Sequence, residues 1–303
     1  MNYINSKWFK VQIIFQIIFI GLFLLFGFSA NYQLIFALTL LCIVGIPHGA
    51  NDHIYINDKT KIGILKFLAY YLGISFLYII LWYLMPLLAL ILFFIISFHH
   101  FGQSNFENDK IWYLPSILWG IILLAFPVIL HFKEAILIFK SMIGIGDFNQ
   151  LIYQVTIIKL EIWQISSIFI LSSVYLYFIY KNKKEYFFDY LLQLILITVW
   201  YVMTPLLFGF IVIFCLWHSL QSIRYQTIYF KYYIKKSNFY FFKEILPFSL
   251  IALSGFAIYT QFLPFKIAQS FILLSLITLP HVIMMNSLYK KNITRFKSNI
   301  PLN

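Results

Sequence analysis

Charge is scarce in this chain. Only 11% of its 303 residues are Asp, Glu, Lys or Arg, where soluble domains usually carry about a quarter. Ten of them are carboxylates, so little is available for acid–base chemistry. Cysteine is scarcer still. Cys42 and Cys215 both lie inside apolar runs, and their spacing matches neither a thiolate metal site nor a redox motif. They read as small buried hydrophobes. HExxH, GxSxG and a phosphate-cradling glycine loop are all missing, which removes the usual machinery of hydrolytic and nucleotide-driven chemistry.

What is present is hydrophobic. Apolar residues make up 62% of the chain, and the mean hydropathy is +0.87. Stretches near the length that crosses a bilayer core recur throughout, and no stretch remains for a soluble domain. The expected fold is therefore all-α: a polytopic membrane bundle forming one domain over 1–303. Ten spans are expected, at roughly 11–28, 32–47, 64–85, 86–104, 112–132, 160–180, 187–203, 205–225, 245–263 and 267–289. Pro86, Pro205 and Pro264 mark turns between them. The segment 133–159 is too polar and broken to cross. Its apolar piece 135–145 reads as an interfacial or re-entrant helix ended by Gly144 and Gly146. Lys7 and Lys10 precede an apolar run long enough to span and lacking a small-residue cleavage site, so this run is read as the first helix.

The net charge of +12 then belongs to basic loops rather than to a nucleic-acid surface. With the N-terminus placed in the cytoplasm, only Lys133, Lys140, Lys159 and Lys266 fall outside, and the remaining 18 of 22 basic residues fall inside. That bias places both termini in the cytoplasm and the protein, multi-pass, in the inner (plasma) membrane. The basic inner face suits anionic membrane lipid.

The topology gives four histidines a common depth. His48, His100, His218 and His281 all lie on helices running from outside to inside, 13 to 16 residues after each expected start. At about 1.5 Å per residue, each is roughly 20–24 Å down. His131 falls at the opposite end of its helix. His53 and His99 are spare imidazoles, and on a helix His99 points about 100° away from His100. Ionisable groups inside a membrane are costly and usually functional. A single histidine there is equally well a packing residue, whereas four at one level point to a metal ion, for which imidazole is the commonest ligand.

Polar residues follow the candidate ligands at helical spacing: Asp52 after His48, Gln103 and Ser104 after His100, Gln221 and Ser222 after His218. They fit a shell that orients the rings. Ordinary capping near the interface is the competing reading. The seven histidines are not spaced as the HxxxH and HxxHH boxes of di-iron membrane desaturases. A mononuclear all-histidine site with few carboxylates suits oxygen chemistry on an apolar substrate. The 35 Phe and 22 Tyr are compatible with a substrate tunnel, and equally with interfacial belts.

GIPHGANDH at 45–53, HFGQSN at 100–105, LWHS at 216–219 and LPHV at 279–282 together resemble the bacterial β-carotene 15,15′-dioxygenase family, the Brp/Blh proteins. The resemblance implies a multi-span membrane enzyme. A non-haem Fe(2+) would cleave the central double bond of β-carotene with O2 to give retinal, often for a rhodopsin. It also implies His48, His100 and His218 as iron ligands. Two positions depart from the family pattern. Ser222 stands where a further histidine is often found, and Asn105 where an acidic residue often follows HFG. The shared depth makes His281 the expected fourth ligand. A non-cleaving relative, acting as a membrane transporter or a lipid- or metal-binding protein, is the alternative, although no internal repeat supports it. Carotenoid cyclisation or isomerisation would need acids that the chain hardly has.

Overall fold

Helix starts and stops follow local chemistry. Pro86 opens one helix at a position where its missing N–H costs nothing. The Thr60 hydroxyl accepts from the Gly63 N–H at 3.1 Å to open another. Glu161 and Gln164 form a reciprocal capping box. Gly144, at φ +79°, adopts the left-handed conformation just past a helix end. The computed structural model describes residues 7–50, 52–55, 60–106, 113–145, 160–262 and 267–299, and these contain helices and turns but no strand.

Among the described residues, eleven helices of more than ten residues follow in order: α1 (Lys7–Phe26), α2 (Ala30–Gly49), α3 (Lys61–Leu84), α4 (Pro86–Gln103), α5 (Leu114–Leu130), α6 (Phe132–Met142), α7 (Ile162–Lys183), α8 (Phe187–Met203), α9 (Leu206–Tyr229), α10 (Asn238–Phe262) and α11 (Ile267–Asn299). In its described residues each of the ten expected spans overlaps a helix, and 135–145 overlaps α6. By length and composition, seven helical segments among the described residues are able to cross a membrane: α1, α2, α3, α4, the 42-residue stretch holding α7 and α8, α9 and the first part of α11. An eighth is added if α5 and α6, bent by 104° at their junction, count as one broken span. Ten crossings is thus more than these criteria support. The 17-residue α5 is short, and α10 lies outside that set. Pro264 and Gly146 lie outside the described residues.

The exterior is apolar and the interior holds the polar groups, the reverse of a soluble domain. Leu24, Leu25, Tyr83, Ile162 and Phe188 are exposed, while Gln12, Gln16, Gln33, Gln193 and Gln226 are buried. Against lipid, helix association depends on close packing rather than on escape from water. The tightest packing is between α4 and α5. A Cβ on Gly102 would stand 1.8 Å from the Ser116 carbonyl oxygen, and one on Gly120 would stand 1.8 Å from that of Phe98. Trp119, Trp200 and Trp217 fill the interior beside this pair.

A candidate metal centre in an apolar cavity

The four histidines predicted to share a depth come together. Ring centroids are 4.6 Å apart for His100 and His218, 4.9 Å for His100 and His281, 5.2 Å for His48 and His218, and 5.3 Å for His48 and His281. All four are buried. The tightest set is His48, His100 and His218, each offering one ring nitrogen within 4.8 Å of the others. His281 adjoins this trio without belonging to it.

Departures from regular helix place two of these rings. A wide π-type turn at Leu41–Gly45 precedes His48, and another at Phe214–Ser219 contains His218. Such turns are frequent at functional sites. The two turns pack against each other at Gly45, where a Cβ would meet Phe214 Cε1 at 3.3 Å and Cys215 Sγ at 3.4 Å. Proline precedes two of the histidines, as Pro47 and Pro280. Pro280 has no N–H for the carbonyl four residues back. That carbonyl, on Leu276, accepts instead from the Ser75 hydroxyl of α3 at 3.0 Å.

The ring nitrogens sort into two kinds. His48 Nδ1 bonds the Gly45 carbonyl, His281 Nδ1 bonds Asp52 Oδ1 at 2.8 Å, and His218 Nδ1 lies 3.3 Å from Ser104 Oγ. The Ser104 hydroxyl donates to the Phe101 carbonyl at 2.9 Å, so it is free to accept from His218. An oxygen acceptor on Nδ1 selects the Nδ1–H tautomer and leaves a lone pair on Nε2. His218 Nε2, His281 Nε2 and both nitrogens of His100 are buried without a hydrogen-bond partner. Unsatisfied buried polar atoms are costly, and converging imidazole lone pairs fit a divalent transition metal.

The polar shell departs from the i+3, i+4 reading. Asp52 serves His281, not His48, because α2 ends at Gly49 and Asp52 starts a separate short turn, Asp52–Tyr55. The Tyr71 hydroxyl approaches the same carboxylate. Gln103 does not reach His100. Its amide donates to Asn286 Oδ1 at 2.7 Å, where His99 Nε2 also lies at 3.2 Å. Gln221 is buried with neither amide atom hydrogen-bonded, so it does not orient His218. Ser222 lies 3.3 Å from Gln226 Nε2, which donates to the His48 carbonyl at 2.7 Å. Ser104 acts across helices on His218, while i+3, i+4 spacing from the histidines does not reach Gln226 or Asn286. Gln226 had a signal, since it lies one turn beyond Ser222; Asn286 had none at helical spacing. His131 sits apart, bonded to the Tyr201 carbonyl. His53 stacks on Phe248 at 3.9 Å.

The rings border a cavity of about 390 Å³, lined chiefly by Leu, Ile, Phe and other apolar side chains. That size suits a small-molecule site. Phe101 stacks on His218 at 4.3 Å and 11°, closing one side of the cluster.

Comparison with known proteins decides the family. The family model described as beta-carotene 15,15'-dioxygenase matches residues 39–289. The chain belongs to that family. A curated beta-carotene 15,15'-dioxygenase from uncultured marine bacterium 66A03 is 27% identical over 285 residues, covering 86% of this chain and 96% of that protein. No solved structure matches. All four histidines of the cluster fall within the family match, as do Asp52 and Ser104.

Proposed function

We propose that this protein is a membrane-bound carotene-cleaving dioxygenase. It takes β-carotene or a related polyene, splits the central double bond with O2 and releases retinal. The observation that carries the reading is the meeting of four buried imidazoles, three of them within 4.8 Å of one another, at the edge of an apolar cavity. Family membership supports the substrate and the reaction. The inner membrane as its location and a rhodopsin as consumer of the retinal remain part of the proposal, resting on charge distribution and resemblance.

His48, His100 and His218 would hold Fe(2+), with His281 as fourth ligand in place of the histidine replaced by Ser222. Ferrous iron bound there supplies the activation of dioxygen. The residues present have simpler tasks. Gly45, Ser104 and Asp52 fix three rings with Nε2 turned inward. Phe101, Phe214 and the apolar wall exclude water and hold the polyene beside the rings. No general base is required. The double bond breaks, one oxygen atom of O2 ends on each carbon, and two aldehydes form without an outside reductant.

Expression in bacteria accumulating β-carotene, with retinal measured by chromatography, tests this. Retinal is expected from the native chain and not from His218→Ala. A folded, iron-loaded chain making no retinal would contradict the function. Retinal persisting in His281→Ala would remove His281 from the ligand set. Asp52→Asn weakens the acceptor on His281 Nδ1, and metal affinity is expected to fall roughly 10–100-fold, readable by metal titration of purified protein.

A further inference from the structure

The cavity continues well beyond the rings, and its two ends differ. Leu90, Leu207 and Phe271 line it on α4, α9 and α11, ten or eleven residues before His100, His218 and His281. At about 1.5 Å per residue this carries the cavity some 15 Å away from the cluster. There α6 lies across the helix ends. Ala135, Ile138 and Met142 face the cavity and are buried, packing in one cluster with Leu90, Leu206 and Ala268. The 104° bend between α5 and α6 turns this short helix across the bundle.

The other end is open. Leu72 on α3, Ile251 on α10 and Ile277 on α11 line the cavity while being 63%, 68% and 52% exposed. Ile277 is one turn from His281, so this side mouth lies near the level of the rings. Its rim is apolar, as suits entry from lipid.

We propose that the far part of the cavity is a blind arm whose floor, α6, sets which double bond meets the histidines. This rests on the polyene-cleaving reading above. A linear polyene enters sideways between α3, α10 and α11, and its leading end advances until it meets Ile138 and Ala135. The bond then lying beside the rings is fixed by the length of the arm. An arm of this length takes one half of a carotene and not the whole, so a symmetric substrate is presented at its middle. The trailing half remains at the mouth. Ile138 and Ala135 are therefore specificity-determining residues remote from the reacting bond.

The test uses the full chain in β-carotene-accumulating cells, with aldehyde chain lengths read by chromatography. Ile138→Phe and Ala135→Phe raise the floor, so each is expected to yield two aldehydes of unequal length in place of retinal alone. Ile138→Leu keeps the volume and is expected to match the native pattern, which separates arm length from damaged folding. Retinal as sole product at the native rate in both phenylalanine variants would overturn the gauge. Purified protein supplies a readout independent of cleavage. All-trans-retinol, of half-carotene length, is expected to bind Ile138→Phe roughly tenfold or more weakly than the native chain. Equal binding would overturn the blind arm. If the native chain makes no retinal, the function fails, and the arm is judged on this binding comparison.

Discussion

His100→Leu is expected to abolish metal binding and retinal formation while leaving the metal-free protein at least as stable as before. His100 is buried and neither ring nitrogen has a hydrogen-bond partner. Each buried polar group without a partner costs about 1–3 kcal/mol, a cost that coordination to a metal would remove. Leucine is close in volume and carries no polar atom, so the same packing survives without that cost. The thermal midpoint of the metal-free variant should equal or exceed that of the metal-free native chain. Added Fe(2+) should raise the native midpoint and leave the variant unmoved, since only binding to the folded state stabilises it. A variant that unfolds would instead make His100 a packing residue.

Gly120→Ala is expected to be, with Gly102→Ala, among the most damaging single-methyl changes in the bundle. Its Cβ would stand 1.8 Å from the Phe98 carbonyl oxygen, an approach between backbones that no rotamer can relieve. α4 and α5 must separate, and Phe98 is two residues from His100. Overpacking usually costs about 1–3 kcal/mol, and a backbone clash lies at the upper end. Whatever fraction still folds carries His100 displaced, and a misplacement of about 1 Å can cost 10²-fold in rate. Lower yield in membranes, together with roughly 10²-fold less retinal per folded chain, is the expected result, measured by immunoblot and chromatography. Ala125→Gly, a removal of bulk elsewhere on α5, should leave turnover near native.

The four ligand candidates were legible because a bilayer imposes a coordinate on sequence. Helix direction and residue count gave His48, His100, His218 and His281 one level, and the rings meet. Their partners were less legible, since helical spacing predicts neighbours only while the helix lasts. Asp52 lies beyond the end of α2 and turns to His281 instead. Ser104 reaches His218 on another helix, and Gln103 turns to Asn286. The π-type turns at Leu41–Gly45 and Phe214–Ser219 carry no hydropathy signal, although Gly45, which ends the first, is where the side chains of the second pack against it. Helix ends outside the apolar stretch were also hidden. α10 begins at Asn238 and α11 runs to Asn299, because helical backbone continues past the hydrophobic span that marks it.

Metal exchange in washed membranes tests whether an iron centre held by these histidines acts on carotene. Retinal production from added β-carotene is measured after stripping with a chelator and again after returning Fe(2+) or Zn(2+). Imidazole binds both ions, but zinc has no redox chemistry. Stripping is expected to abolish retinal formation, and Fe(2+) alone to restore it. Retinal formation indifferent to stripping, or restored equally by Zn(2+), would rule out an iron centre here.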